Sequence, residues 1–410
     1  HGAKRRFCAK FSSSYQILCI KKQESISMKK CDFDEVLKFI KSTFGKDKVP
    51  LHEPKFIGNE KKYLLECIDS SFVSSVGKFV DEFEGKLAQM VGAKFAVATT
   101  NGTSALHICL KLAGVEQNDE VITQPVTFIA TCNAISYLFA KPVFVDVDLD
   151  TLGMSPASLS AFLEKNCELK GGKCVNKTSG RIVRACVPMH TFGLPCKIDE
   201  IAEICKRWNI ALVEDCAESL GSYYKGTHTG NFGKLAAMSF NGNKIVTSGG
   251  GGAIITNDEE IAKHAKFITT TAKVPHPFEY RHSEIGYNYR LPNLNAALLV
   301  AQLENLELFL KSKRELAMIY KEYFSKFDDV KFIDEPVDAR SNFWLNAVLF
   351  ESREKRDEFL KFSNENGVFT RPIWQLMNEL DMFKDCQIDE LKNAKFLSDR
   401  IVNIPSSARV

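Results

Sequence analysis

Residues 94–145, KFAVATTNGTSALHICLKLAGVEQNDEVITQPVTFIATCNAISYLFAKPVFV, decide the fold. In this stretch, two segments with helical patterns, which begin at Gly102 and Thr127, separate three short apolar runs. The runs are Lys94–Ala98, Glu120–Thr123 and Pro142–Val145. Strands and helices that alternate at this spacing are typical of parallel β-α-β units, in which helices cover both faces of the sheet. The stretch therefore predicts an α/β fold with a mostly parallel sheet.

The alternation continues toward the C terminus and then changes. Ala211–Val213 is an uninterrupted apolar run, as expected of a strand that is buried on both faces. Leu235–Phe240 and Ala253–Thr256 flank a glycine-rich stretch, which favours an antiparallel pair over another crossover. After residue 328, new strand candidates and a charged helix indicate a smaller α+β domain.

We therefore predict four segments. They are a basic N-terminal extension at 1–30, a large α/β domain at 31–290, a connecting helix at 291–327 and a small C-terminal α+β domain at 328–410. The extension is rich in serine and contains eight Lys or Arg but one acid, Glu24. We expect it to be disordered, and a transit peptide is the alternative interpretation.

Composition excludes several classes of protein. The chain has 410 residues, of which 45% are hydrophobic and 26% charged, as in globular proteins. No apolar run approaches the ~20 residues of a membrane span, and a net charge of +3 is too weak to indicate nucleic-acid binding. The 13 cysteines have neither C-x-x-C nor zinc-site spacing, so we predict free thiols, no metal and a cytoplasmic location.

Three stretches contain residues that could bind a ligand or take part in a reaction. Two of them centre on Asp215 and Lys244. Asp215 follows the apolar run Ala211–Val213, and ligands bind at the carboxyl ends of strands in open parallel sheets; a helix N-cap is the alternative. Lys244 precedes four glycines, Gly249–Gly252, in an apolar setting. A desolvated lysine can form a Schiff base with an aldehyde, whereas a surface lysine is the plain alternative. The P-loop pattern G-x-x-x-x-G-K-[ST] does not occur around Lys244.

The third stretch, Asn101–Ser104, joins a strand end to a helix start. Free backbone N–H groups and the helix dipole attract anions there, and Thr103 and Ser104 add hydroxyl groups; an ordinary capped helix is the alternative. Together the three stretches fit pyridoxal phosphate (PLP), which requires a lysine, a carboxylate for its pyridine nitrogen and a phosphate site. Phe128 is a candidate for the apolar plate over the ring, although spacing alone favours a core residue at this position.

The order of these motifs resembles the DegT-type sugar-nucleotide aminotransferases, which are PLP-dependent enzymes of fold type I, like aspartate aminotransferase. The resemblance runs from about Pro50 to Ser407. Its motifs are Asn101-Gly102-Thr103, Thr127-Phe128, His190-Thr191-Phe192-Gly193, Glu214–Glu218, Ser239 with Lys244, and Gly286–Arg290. Finer features, among them Pro50-Leu51-His52-Glu53-Pro54 and Asn241-Gly242-Asn243-Lys244, are similar to the LegC-like branch.

The resemblance implies roles for individual residues. Lys244 would hold the cofactor aldehyde and shuttle protons, and Asp215 would pair with the pyridine nitrogen. The remaining cofactor contacts would be Gly102, Thr103, Ser104, Phe128, Glu218, Ser239 and, from a partner subunit, Asn288, which implies a homodimer with shared active sites. Many family members have Gln at the position of Glu218, whereas the LegC-like and perosamine-synthase-like branches have Glu, so we interpret Glu218 as a marker of the branch.

The resemblance also implies the reaction. An amino group would pass from L-glutamate to C4 of a nucleotide-linked 4-keto-6-deoxy (2-acetamido) hexose, for legionaminic acid, bacillosamine or a related surface polysaccharide. Candidate substrate contacts are His190, Trp344, Arg371 and Trp374, and His190 could instead be a satisfied core group. A PLP-dependent sugar dehydratase is one alternative, disfavoured because such relatives replace the Schiff-base lysine with His; a non-catalytic regulatory protein of this fold is the other.

Overall fold

A computed structural model describes residues 29–410. The predicted extension at 1–30 and its transit-peptide alternative therefore lie outside the described residues, except for Lys29 and Lys30. Within 29–410, no helix combines the length and the apolar character that a membrane span requires.

Helices and strands alternate along most of the chain. The helices are α1 (Phe33–Phe44), α2 (Glu60–Asp69), α3 (Lys78–Val91), α4 (Gly102–Leu112), α5 (Ile129–Tyr137), α6 (Pro156–Asn166), α7 (Ile198–Arg207), α8 (Glu259–Thr269), α9 (Asn293–Leu303), α10 (Leu306–Phe324), α11 (Arg353–Glu365) and α12 (Lys392–Ser398). The strands are β1 (Phe95–Thr99), β2 (Glu120–Thr123), β3 (Lys141–Phe144), β4 (Cys167–Lys170), β5 (Lys173–Asn176), β6 (Val183–Val187), β7 (Ala211–Asp215), β8 (Tyr223–Tyr224), β9 (Thr227–His228), β10 (Leu235–Ser239), β11 (Gly252–Thr256), β12 (Lys273–Val274), β13 (Arg281–His282), β14 (Val330–Phe332), β15 (Ala339–Arg340), β16 (Asn346–Phe350), β17 (Arg371–Pro372) and β18 (Ile401–Ile404).

The central sheet has the strand order β1-β11-β10-β7-β6-β2-β3. Strand β11 is antiparallel to both of its neighbours, β1 and β10. The pairs from β10 through β3 are all parallel. The mostly parallel sheet of fold type I is thereby confirmed, as is the antiparallel pairing predicted around the glycine-rich stretch.

Side-chain alternation along the strands buries both faces of the sheet. On β10, Leu235 and Ala237 pack with residues of α4 and α8, whereas Ala236 and Met238 pack with residues of α3 and α9. Successive side chains of a strand point to opposite faces, so an unbroken apolar run is required at such a position.

The C-terminal sheet, in the order β14-β16-β18-β17, is entirely antiparallel. Its apolar side chains pack with α10 and α11, and also with Val36, Leu37 and Ile40 of α1. Helix α1, which we placed in the large domain by sequence, thus packs with elements of the predicted small domain. The four predicted segment boundaries stay predictions.

The predicted connecting helix at 291–327 is two helices. The break falls at Glu304 and Asn305, and Asn305 has the non-helical dihedral angles φ −109° and ψ 5°. Asparagine competes with helical hydrogen bonding through its own side chain, which explains its place at a break. Helix α10 then contributes Leu306 and Leu310 to the core beneath the central sheet and Leu316 and Tyr320 to the core of the C-terminal sheet.

Candidate active site

A cavity of about 320 Å³ opens where several strands of the central sheet end. Asp215 is the last residue of β7, Ser239 is the last residue of β10, and Asn101 follows β1 at the start of α4. Strands β7 and β10 are parallel, so their carboxyl ends meet at one edge of the sheet. The residues that line the cavity are Asn101, Gly102, Thr103, Leu106, Phe128, Ala130, Met189, Asp215, Ala217, Glu218, Ser239, Asn241, Asn243, Lys244, Trp344 and Trp374.

Asp215 is a buried residue in the lining of this cavity. One oxygen accepts a hydrogen bond of 2.7 Å from the Thr131 hydroxyl, and the other accepts one of 3.1 Å from the Ala217 backbone N–H. Burial raises the pKa of Asp215, and the bonds from Thr131 and Ala217 oppose that rise. A cation in the cavity would favour the ionised carboxylate further.

Lys244 lies beside a second buried carboxylate. Its Nζ is 3.3 Å from Oε1 of Glu218 and 3.9 Å from the ring centroid of Trp344, and its side chain is 13% exposed. The other oxygen of Glu218 accepts a hydrogen bond of 2.9 Å from the Phe192 backbone N–H. Burial raises the pKa of Glu218 to about 7, although Lys244 and the Phe192 N–H lower it. An amine and a buried carboxyl group therefore lie side by side in the lining of the cavity.

The start of α4 forms the polar wall of the cavity. The Asn101 side chain caps the helix by accepting a hydrogen bond of 2.8 Å from the Ser104 N–H. A Cβ atom at Gly102 would lie 2.7 Å from Cβ of Ser239, so only glycine allows the helix start and β10 to approach this closely. The start of α4 and the Ser239 hydroxyl group therefore lie close together, and this arrangement suits the binding of an anion.

Two aromatic side chains border the cavity on the side of α5. Phe128 precedes α5 and is 51% exposed, whereas Val126 and Thr127 before it are buried. Its ring centroid is 6.5 Å from that of Trp374, at a tilt of 59°. A large aromatic ring that faces a cavity in this way can cover a flat ligand.

Besides His190, three predicted contacts do not line the cavity of this chain. Ser104 is 8% exposed; Asn101 accepts its N–H, and its hydroxyl faces that of Thr100 at 3.4 Å. Successive helical residues point about 100° apart, so Ser104 points elsewhere than Thr103. Asn288 is exposed and accepts a hydrogen bond from Arg290, and Arg371 on β17 donates to the Thr370 carbonyl and to Asn364.

The prediction that His190 contacts substrate is wrong for this structure. The ring is completely buried; its Nε2 is 3.1 Å from Oε2 of Glu214, and its Nδ1 accepts the Cys196 backbone N–H at 3.1 Å. A ring with both nitrogens bonded inside the core has nothing left for a ligand.

His190 belongs to a buried polar cluster behind the sheet edge, which we term the rear network. Glu214 is its centre and accepts hydrogen bonds from the backbone N–H groups of Gly230, Phe232 and Gly233 at 2.7–2.8 Å. Potential metal-ligand atoms of His190, Glu214 and Cys216 lie within 4.8 Å of one another. Because hydrogen bonds already occupy both oxygens of Glu214 and both ring nitrogens, the cluster acts as a scaffold.

Sequence reasoning missed Thr131, Asn241 and Asn243. Thr131 lies one helical turn after Phe128, so the i, i+3 spacing from a candidate site residue could have indicated it. Asn241 and Asn243 line the cavity next to Lys244, and the backbone carbonyl of Asn243 accepts a hydrogen bond of 2.7 Å from the Trp344 indole. The C-terminal part of the chain thus reaches the cavity through Trp344 and Trp374, two of the predicted substrate contacts.

The donor set of the cavity fits PLP. The fit rests on a lysine amine, a buried carboxylate held in place by Thr131, the converging helix start and Ser239 hydroxyl at Gly102, and an aromatic side chain that faces the same space. The volume of about 320 Å³ also lies within the range of small-ligand sites.

Comparison with known proteins agrees with this geometry. The profile of the DegT/DnrJ/EryC1/StrS aminotransferase family matches residues 54–410. The chain is 35% identical over 358 residues to GDP-perosamine synthase of Escherichia coli O157:H7, covering 87% of this chain and 93% of that protein. It is 32% identical over 364 residues to GDP-perosamine synthase of Caulobacter vibrioides, covering 88% and 94%.

A solved structure of the same family has a similar fold. The DegT DnrJ EryC1 StrS aminotransferase from Brucella abortus superposes with a TM-score of 0.77 at 27% sequence identity, covering 85% of this chain and 90% of that chain. The matched family residues include all those that line the cavity. The chain therefore belongs to the DegT/DnrJ/EryC1/StrS aminotransferase family and is a PLP-dependent aminotransferase.

Proposed function

We propose that the protein moves an amino group from L-glutamate to C4 of a nucleotide-linked 4-keto-6-deoxy (2-acetamido) hexose. We place it in the LegC-like branch, with a role in the synthesis of legionaminic acid, bacillosamine or a related surface polysaccharide. The observation that carries the proposal is the single cavity that brings Lys244, Asp215 and the start of α4 together. The similarity to GDP-perosamine synthases supports a nucleotide-linked sugar as substrate.

In this proposal, Lys244 and Asp215 are the two residues of the chain that take part directly in the reaction. Bound PLP would supply an aldehyde that carries the amino group and a ring that withdraws electrons from the adjacent carbon. The Asp215 carboxylate holds a proton on the pyridine nitrogen, and Thr131 and the Ala217 N–H keep that carboxylate oriented. Lys244 Nζ takes a proton from the amino donor and returns one to the sugar.

The other cavity residues bind and orient. Thr103, Ser239 and the N–H groups at the start of α4 hold the phosphate, and Phe128 covers the ring. Glu218, 3.3 Å from Lys244, receives a proton from the lysine amine when the latter must be neutral. Trp344 and Trp374 border the space that is left for the sugar.

We also propose a homodimer in which Asn288 completes the phosphate site of the partner. Of the residues that line the cavity, Lys244 is the one cation, whereas the phosphate and a sugar nucleotide bring several negative charges. The segment that precedes Asn288 has three apolar side chains that are at least 80% exposed, namely Phe278, Tyr280 and Ile285. Such a surface favours burial against a second copy.

Subunit mixing tests the shared site. Lys244→Ala and Asn288→Ala, each of low activity alone, are mixed and allowed to exchange subunits. If the two residues come from opposite subunits of one site, each mixed dimer has one intact site, and about a quarter of the parent activity returns. No recovery, with subunit exchange verified by mass spectrometry, would contradict the shared site.

A substrate panel tests the reaction itself. The purified protein is given L-glutamate with UDP- and GDP-linked 4-keto-6-deoxy hexoses, with and without a 2-acetamido group, and the products are analysed by NMR. We expect a 4-amino sugar and 2-oxoglutarate from at least one substrate and none with Lys244→Ala. A yellow protein whose spectrum no amino donor changes would favour the dehydratase or the non-catalytic interpretation.

A cytoplasmic location remains part of the proposal. The eleven cysteines of residues 29–410 are free, and nine of them are buried. Free thiols in this number fit a reducing compartment.

A further inference from the structure

Lys313, in the middle of α10, is a buried lysine without an ionic partner. Its side chain is 1% exposed, and none of the described carboxylates lies within salt-bridge distance of it. Its Nζ instead donates hydrogen bonds to two backbone carbonyls, those of Trp344 at 3.2 Å and of Ser406. Burial lowers the pKa of Lys313 to about 7. Burying an amine costs stability unless its donors are satisfied, and an apolar residue would fill the same place at lower cost.

The contacts of Lys313 lead to the cavity through Trp344. Lys313 holds the backbone carbonyl of Trp344, while the indole Nε1 donates a hydrogen bond of 2.7 Å to the carbonyl of Asn243. The face of the same indole lies 3.9 Å from Nζ of Lys244. Trp344 therefore links Lys313 to both Lys244 and Asn243.

We infer that Lys313 is a positioning residue, which holds Trp344 against the amine of Lys244 from behind the cavity wall. The inference rests on the proposed role of Lys244. Lys313 touches no ligand itself; it orients the aromatic face on which the Lys244 amine lies when the amine is free. A misplaced indole would leave that amine with Glu218 as its one close partner, and proton transfer at Nζ would slow.

Helix α10 offers a matched control in Tyr320. Tyr320 is also fully buried and donates a hydrogen bond of 2.8 Å to the carbonyl of Pro405, the residue before the Ser406 that Lys313 contacts. Unlike Lys313, it has no hydrogen bond to Trp344. Tyr320→Phe therefore removes a buried hydrogen bond between α10 and Pro405 without altering the hydrogen bond from Lys313 to Trp344.

The test compares Lys313→Met with Tyr320→Phe in two ways. At saturating PLP, we expect Lys313→Met to lower kcat about tenfold with less than about a threefold change in the KM for L-glutamate. In the cofactor-free protein, the emission of Trp344 is identified as the part of the tryptophan fluorescence that is lost in Trp344→Phe. We expect this emission to shift in Lys313→Met. Tyr320→Phe should leave kcat within about twofold of the parent and the Trp344 fluorescence unshifted, while lowering Tm by a few degrees.

A double-mutant cycle separates positioning from general loss of packing. In a Trp344→Phe background, Lys313→Met should lower kcat less than about twofold further, because its effect passes through the indole. Should Lys313→Met fail to fold, Lys313→Gln, which retains a donor, is measured in the same way with the same expected direction. Equal behaviour of the Lys313 and Tyr320 variants, or fully multiplicative effects in the cycle, would overturn the inference. A parent without transaminase activity would instead refute the proposed function, and the fluorescence comparison would still decide the place of Lys313.

Discussion

Glu214 and Asp215 are adjacent carboxylates at the end of β7, yet they belong to two different regions. Glu214 is the centre of the rear network, where His190 and three backbone N–H groups saturate it. Asp215 faces the cavity and is held by Thr131 and the Ala217 N–H. The period of two along a strand sends neighbouring side chains to opposite faces. The same functional group is thus a scaffold on one face of the sheet and, in the proposed function, the partner of the pyridine nitrogen on the other.

Asp215→Asn should distinguish these two regions most clearly, because it should lower activity with little effect on stability. We expect kcat to fall roughly 10³-fold, because the charge that keeps the pyridine nitrogen protonated is lost. The amide oxygen and NH₂ group can still bond the Ala217 N–H and the Thr131 oxygen, so Tm should stay within a few degrees of the parent. Steady-state kinetics and thermal unfolding measure both. A folded variant with nearly full activity would remove Asp215 from the chemistry.

Glu214→Leu should have the opposite profile. It leaves three backbone N–H groups and the buried His190 without their acceptor, and we expect the free energy of unfolding to fall on the order of 3 kcal/mol or more. Urea unfolding of the cofactor-free protein measures this change, with Glu214→Gln, which keeps part of the bonding, as the milder control. Unchanged stability in Glu214→Leu would show that the rear network is not a scaffold.

Glu218→Gln sharpens the comparison through pH. An acid whose pKa is raised from 4.5 to about 7 on folding holds its proton more tightly in the folded state, so the parent loses stability as the pH rises through that window. Gln has no such dependence. Relative to the parent, the variant should therefore gain on the order of 2 kcal/mol between pH 5 and pH 8. Parallel stability curves for the two proteins across this range would contradict the assignment.

Sequence patterns predicted the parts of the fold that depend on local periodicity. The apolar runs located β1, β2, β3 and β7, and the strand-end position of Asp215 placed it in the same cavity as Lys244. The hairpin of β4 and β5 was missed, although Gly171 and Gly172, both with positive φ, are the two-residue turn that such hairpins require.

Tertiary contacts decided what sequence patterns could not. Whether His190 faces a ligand or the core depends on Glu214, which approaches it from β7, and on Cys196, which folds back from later in the same connection. The position of Ser104 depends on the cap that Asn101 provides. Trp344 meets Lys244 although the two residues lie about 100 positions apart in the chain, and no local pattern predicts such a contact.

The most direct test concerns the covalent attachment of the cofactor. The PLP-loaded protein is reduced with borohydride, digested and mapped by mass spectrometry. We predict a pyridoxyl group on Nζ of Lys244 and on no other lysine, Lys313 included. A label on a different residue, or no label in a protein that has bound PLP, would contradict the assignment of Lys244 on which the proposed reaction depends.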